Sequence, residues 1–191
     1  MPILKIIFDI CLLRGRPQDL PASWNLFWLC ALGSVVTGYA SAAYVEGPSL
    51  AGLLHVVLHE AIFGGAVWVL LKTRNHPERW LQSIVALYAV GALFSLVTLP
   101  VLPQLTEFAK HAFETIQQGA AMPEGAAMPV GGVVLFVFTI AVWHLLVTAQ
   151  VLHHAMELSF GLSALIGIFT VVAVSIVEIV FISIFSVPVS A

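Results

Sequence analysis

Five apolar stretches, each long enough to cross a bilayer, dominate this sequence. A transmembrane helix needs about 20 consecutive apolar residues. Only 9% of the 191 residues are charged, whereas a typical soluble domain has about 25%. The sequence therefore predicts an all-α fold, a polytopic membrane helix bundle in a single membrane domain over residues 1–191 with no separate soluble domain. Its five transmembrane helices are expected at about 24–45, 49–71, 80–102, 130–152 and 161–187.

Two further helices are predicted outside these spans. Over residues 2–14, Lys5 and Asp9 share one helix face and isoleucines line the other, a pattern typical of an N-terminal helix in the membrane interface. Between the third and fourth spans, the segment LTEFAKHAFETIQQ alternates apolar and polar faces with a helical period and predicts an outer-side amphipathic helix. The following AAMPEGAAMPVG is rich in Gly, Pro and small residues and predicts a linker up to residue 129.

The basic residues predict how the bundle lies in the membrane. Six of the seven Lys and Arg residues fall before the first span or between the second and third, and only Lys110 falls on the other side. Because basic residues concentrate in cytoplasmic loops, we expect the N-terminus in the cytoplasm and the C-terminus in the periplasm. The expected location is the bacterial inner (cytoplasmic) membrane, where the protein would be multi-pass.

Several function classes lack sequence support. The net charge is −3 and there is no basic tract, so no nucleic-acid partner is expected. A phosphate-binding Gly-rich loop and a nucleophile elbow are also missing, so no catalytic residue is assigned and the chain is interpreted as non-enzymatic. Cys11 and Cys30 lie far apart in apolar runs, which does not favour a disulfide.

Ionisable residues inside the predicted spans are the candidate functional residues. Such groups are costly in a bilayer and usually face the bundle interior, a cavity or each other. A rise of about 1.5 Å per residue places His55, His59 and Glu178 at similar depth. We therefore expect both histidines to face the bundle and at least one to bond Glu178, whereas Glu60 should point elsewhere, towards a partner of its own such as a hydroxyl. The intramembrane polar cluster is His55, His59, Glu60, His144 and Glu178.

Four interpretations of this cluster stay open at the sequence level. His55 and His59 are spaced like zinc ligands on a helix, but Phe63 replaces the second histidine of an HExxH motif, so no metal site is assigned. A bis-histidine haem would pair His55 or His59 with His144, but no cofactor is assigned. Glu60 and Glu178 could carry protons or ions. The interpretation favoured by sequence is structural: hydrogen bonds between helices that fix their register.

The predicted cytoplasmic turn between spans four and five carries His153, His154 and Glu157 in the sequence VLHHAMELSFGLSALIG. Trp143, His154, Ser159 and Ala164 follow a W…HH…LS.G..A pattern that, with five spans and a cytosolic N-terminal segment, resembles the bacterial branch of the Yip family of small membrane proteins. The LLRGRPQDLP segment is similar to the stretch before the first span in small proteobacterial membrane proteins. The Yip-like resemblance implies a non-enzymatic role in membrane organisation and supplies no catalytic residues.

Small size and short loops favour an accessory role. The sequence predicts an accessory subunit, assembly factor or scaffold of a larger membrane complex, surrounded by membrane lipids and bound to a membrane-protein partner or to copies of itself. The first alternative is a small transporter or proton-conducting protein that uses the intramembrane glutamate and histidine residues. The second alternative is a haem or quinone redox subunit.

Overall fold

The protein is an all-α bundle, as predicted. The computed structural model describes residues 3–117 and 127–185, and the regular structure in these ranges is helical. Five of the helices are long and apolar enough to cross a membrane, which fits a multi-pass membrane protein. The helices are α1 (Ile3–Cys11), α2 (Trp24–Glu46), α3 (Leu50–Thr73), α4 (Trp80–Thr98), α5 (Leu102–Gln117), α6 (Ala127–Met156) and α7 (Phe160–Phe185), with 3₁₀ turns at Pro17–Asp19, Pro77–Arg79 and Leu99–Val101.

Serine caps set the start of the first two spanning helices. The hydroxyl of Ser23 accepts a hydrogen bond from the Leu26 amide at the start of α2, and Ser49 accepts one from the Gly52 amide at the start of α3. Each hydroxyl satisfies an amide that has no partner within its helix. Gly47 joins the two helices at φ 85°, a conformation that favours glycine. The short connection makes α2 and α3 antiparallel neighbours.

The largest differences from the predicted bounds lie around the outer segment. The third span was expected over about 80–102, yet α4 ends at Thr98 and the chain continues directly into α5 through the turn Leu99–Val101. Pro100 lies in this turn, and Pro103 is the second residue of α5. Both prolines occupy the first positions of a new helical segment, where the missing amide breaks no hydrogen bond. α6 begins at Ala127, so the predicted linker does not reach 129. Residues 118–126 of that linker and residues 186–191 after α7 lie outside the described residues.

The five spanning helices form a closed ring. α2 packs against α3 and α4, α6 packs against α4 and α7, and α7 returns to α3. We call one end of this ring the basic end, because it carries Arg14, Arg16, Lys72, Arg74 and Arg79. Hydrogen bonds there join the segment before α2, the turn between α3 and α4 and the end of α6. All three segments were predicted on one side of the membrane, and they do lie at one end of the bundle.

The buried apolar core fills the half of the ring nearest the basic end. α4 contributes an unbroken run of buried side chains from Ser83 to Val90. Val67 and Leu71 of α3 and Val151 and Leu152 of α6 are at most 1% exposed. Trp80 closes this layer, and its indole N–H donates to the carbonyl of Gly64 at 2.9 Å. Tight packing on this side leaves the space between the helices at the opposite end.

α1 lies beside the bundle, packed against α4 and α6. Its buried residues are Ile7 and Ile10, and Leu13, which follows it, has φ 60°. Trp143, near the middle of α6, donates from its indole nitrogen to the carbonyl of Cys11 at 2.9 Å. The end of α1 therefore contacts the side of α6, and its depth in the interface stays a prediction.

Candidate functional site

A cavity with a mostly apolar lining and a few polar side chains lies between the helices of the ring. Its larger part has a volume of about 500 Å³ and extends from Glu60 to Thr98 and Ala42, away from the basic end. A smaller part of about 330 Å³ adjoins it on the side of the apolar core. The two parts share six lining residues on four helices: Ser34, His59, Glu60, Gly91, Ala141 and His144. Small side chains at Ser34, Gly91 and Ala141 leave this space open.

Glu60 lies where the two parts of the cavity meet. Its carboxylate oxygen Oε1 accepts a hydrogen bond from the Ser34 hydroxyl of α2 at 2.5 Å. The Tyr88 hydroxyl of α4 donates to the backbone carbonyl of Glu60 at 2.7 Å. The predicted hydroxyl partner is therefore confirmed. Glu60 therefore bonds α2 whereas His59 bonds α7, as predicted, although helix positions about 100° apart both border the cavity.

His59 joins the cavity to α7. Its Nδ1 lies 2.8 Å from Oε1 of Glu178, a side chain with a relative exposure of 8%. This contact confirms the predicted bond between the second and fifth spans, and it follows from the matched depth of the two residues. The imidazole also stacks on Phe63, one helical turn further along α3, with an interplanar angle of 3°. His59 is thus held in one orientation from two sides.

The other two histidines of the predicted cluster border the same space. His55 lines the larger part of the cavity. His144 of α6 lines both parts, and its ring centroid lies 5.0 Å from that of Phe94 on α4. The structure therefore brings four of the five predicted residues to one cavity and places the fifth, Glu178, directly behind His59.

The arrangement does not form a ready metal centre. In residues 3–117 and 127–185, no group of three or more His, Cys, Asp or Glu side chains is placed to hold a metal ion. His59 and His144 do line a common space, but the described residues provide no observation that tests haem ligation. The haem and quinone hypothesis stays a prediction.

The second predicted cluster lies at the basic end and has a different character. Arg79 donates to the carbonyls of His154 and Ala155 at 3.3 and 3.4 Å, and to the Glu157 carboxylate at 2.6 Å. These carbonyls end α6 and have no partner within the helix, so the guanidinium caps it. The hydrogen bond and the charge of Arg79 lower the pKa of Glu157. His153 contacts the carbonyl of Leu158, and the cluster stabilises the turn.

Sequence reasoning missed three contributors to these sites. Ser34 was assigned no role in the site, although a hydroxyl at the depth of Glu60 was the available signal. The role of Tyr88 follows from its hydroxyl on a neighbouring span. Gln18, whose amide donates to the carbonyl of His154 at 2.9 Å, carried no recognisable signal.

Comparison with known proteins adds no relative. No family model, no curated protein and no solved structure matches this chain. The resemblance to the Yip family stays a prediction, and the site is interpreted from its own geometry.

Substitutions of Glu178 separate a structural contact from a functional one. Glu178→Gln should change stability little, because glutamine still bonds His59 and interhelical bonds are worth about 0.6 kcal/mol on average. Glu178→Leu should destabilise more, because it removes the bond between α3 and α7 and leaves His59 without this partner inside the membrane span. Unfolding of the purified variants in detergent measures both effects. Equal destabilisation by the two substitutions would contradict the hydrogen-bonding role.

Proposed function

We propose that this protein transports a small cation or protons across the bacterial inner membrane through the central cavity. The observation that carries the proposal is Glu60, a carboxylate between helices where cavity parts of about 500 and 330 Å³ meet. Ionisable residues inside membrane bundles are rare and commonly mark ion pathways and proton relays. Among the described residues, the lining includes no Lys or Arg, so the charged side chain available to a solute is an acid.

The position of the apolar core supports a transporter over an open pore. Val67, Leu71 and Leu152 fill the bundle between the cavity and the basic end. A cation at Glu60 cannot pass this layer without a rearrangement, so transfer would alternate between conformations. His59, linked to Glu178, provides a second protonatable group beside the first. A histidine and a carboxylate in contact can exchange a proton with little movement.

Flux through reconstituted protein tests this function. Purified protein in liposomes is given a potassium gradient and valinomycin, and internal pH is followed with a trapped dye, first with protons alone and then with added monovalent cations. We expect internal pH to change faster than in protein-free liposomes under at least one of these conditions. A rate of pH change equal to that of protein-free liposomes with every cation would contradict the proposal.

The orientation is part of the proposal. With the basic end in the cytoplasm, the larger part of the cavity faces the periplasm, and both the N-terminal segment and the α6–α7 turn are cytoplasmic. The positive-inside rule supports this arrangement, since five basic side chains cluster at that end. Alkaline phosphatase joined after Ala191 should then be active, because that enzyme needs the periplasm; a stable but inactive fusion would contradict the orientation.

A further inference from the structure

We infer that the cation bound in the cavity is a small primary alkylammonium ion, with its ammonium group at Glu60. This inference rests on the proposed function and names the substrate class of the same site. It follows from the charge of the lining, the size of the space, the spacing of the possible ligands and the aromatic rings beside them.

The lining offers hydrogen-bond acceptors around one acidic group. Glu60 keeps one carboxylate oxygen, Oε2, that accepts no bond from Ser34. The Ser34 hydroxyl beside it donates to Oε1 and retains lone pairs that accept. An ammonium group has three N–H donors, so it matches a lining of this kind.

Size and spacing favour an organic ion over a bare metal ion. A metal ion needs several ligands that converge within about 2–2.6 Å, and no His, Cys, Asp and Glu cluster of this kind occurs in the described chain. The volume of about 500 Å³ instead falls within the range of about 300–1,000 Å³ typical of small-molecule sites. The apolar lining, which includes Val137 and Ile140, provides a surface for an alkyl chain.

Aromatic rings form part of the cavity lining. Phe94 lines the larger part of the cavity and Phe63 lines the smaller part, and Glu60 lines both. Cations are attracted to the faces of aromatic rings within about 6 Å. The two phenylalanines would therefore stabilise an ammonium ion that has left water without adding a competing charge.

The same carboxylate cannot hold a proton and an ammonium ion at once. Binding of RNH₃⁺ requires ionised Glu60, so each ammonium bound to a protonated site releases one proton to solvent. The titratable groups facing Glu60 are His55 and His59 on α3, Tyr88 on α4, His144 on α6 and, through His59, Glu178 on α7. Positive charge on the histidines at low pH also repels the ammonium ion. Both effects weaken binding as the pH falls.

Calorimetric titration of the detergent-solubilised protein with n-butylammonium chloride at pH 8 tests the inference. We expect saturable binding with one site per chain, at least a tenfold loss of affinity in Glu60→Gln, and unchanged affinity in Glu107→Gln, an exposed glutamate on α5. n-Butanol, which has the same chain and no charge, should not bind saturably. Thermal unfolding of each variant verifies that it is folded.

Three results would overturn the inference: no saturable binding of n-butylammonium, equal binding by wild type and Glu60→Gln, or binding of Zn²⁺ without binding of the amine. These results are distinguishable from a failure of the proposed function. Ion flux without amine binding removes the substrate assignment alone, whereas amine binding without flux of any cation removes the transport function and leaves a binding site.

Discussion

Replacing Glu60 by glutamine is expected to reduce cation or proton flux in proteoliposomes at least tenfold while the protein stays folded. Glutamine keeps an oxygen that accepts the Ser34 hydroxyl bond, so the contact between α2 and α3 survives. It cannot take up or release a proton and carries no charge for a cation. The expected change in stability is below about 1 kcal/mol, in line with interhelical bonds in bilayers.

The matched control is Glu107→Gln, which removes a carboxylate of the same type from α5, outside the lining of either part of the cavity. Its flux should equal that of the wild type. Flux measured at equal protein density in the liposomes provides the comparison. Wild-type flux in Glu60→Gln would contradict a carrier role for this carboxylate, and equal losses in both variants would point to a general effect of charge.

The largest stability effect is expected from Gly64→Ala, which should destabilise the bundle by about 1–3 kcal/mol, the usual range for overpacking. A Cβ at Gly64 would lie 2.7 Å from the Tyr88 hydroxyl oxygen, which must then move. Tyr88 is only 5% exposed and its ring is rigid, so this movement also breaks its bond to the Glu60 carbonyl. The free energy of unfolding in SDS–detergent mixtures measures the effect.

The neighbouring Gly65 provides the control, because a Cβ there would meet nothing within 4 Å. Gly65→Ala should be neutral or stabilising by up to about 1 kcal/mol, since alanine favours the helix. Adding Tyr88→Phe to Gly64→Ala removes the clashing oxygen and should recover part of the loss. Similar free energies for the two alanine variants would show that the close approach of α3 and α4 is not as described.

Much of the architecture could be predicted from the sequence because its causes are local. Apolar length gives the five spans, and Ser23 and Pro21 indicate where the first begins. The bond between His59 and Glu178 could also be anticipated, because both residues are costly in a bilayer and lie at the same depth on their spans. These inferences need only helix geometry and the properties of the membrane.

The cavity could not be predicted, because it depends on which helices are neighbours. The sequence gives no reason for the order of the ring, in which α4 stands between α2 and α6. That order brings Ser34, Glu60 and His144 to one space. The continuation of the chain through Pro100 and Pro103 was missed for a separate, local reason. A proline breaks a helix in its interior but is tolerated at the start of a new helical segment.

The accessory-subunit hypothesis and the haem hypothesis stay predictions. The first is tested by co-purification in mild detergent, where a stable membrane-protein partner or a homo-oligomer would support it. The second is tested by the absorbance spectrum of the purified protein, where a Soret band would support it. We favour transport because the cavity between the helices carries an intramembrane carboxylate, Glu60.

The most direct test of the central claim is water access to the cavity at mid-depth. In a background of Cys11→Ser and Cys30→Ala, Ala141→Cys places a thiol on the lining, and Val142→Cys places one on the next residue, an exposed apolar position outside the lining. A charged methanethiosulfonate reagent stays in water and reacts with the thiolate, which forms only where water reaches the cysteine. We predict labelling of Ala141→Cys from the periplasmic side and none of Val142→Cys. Equal labelling of the two, or none of Ala141→Cys, would contradict a solute-accessible cavity.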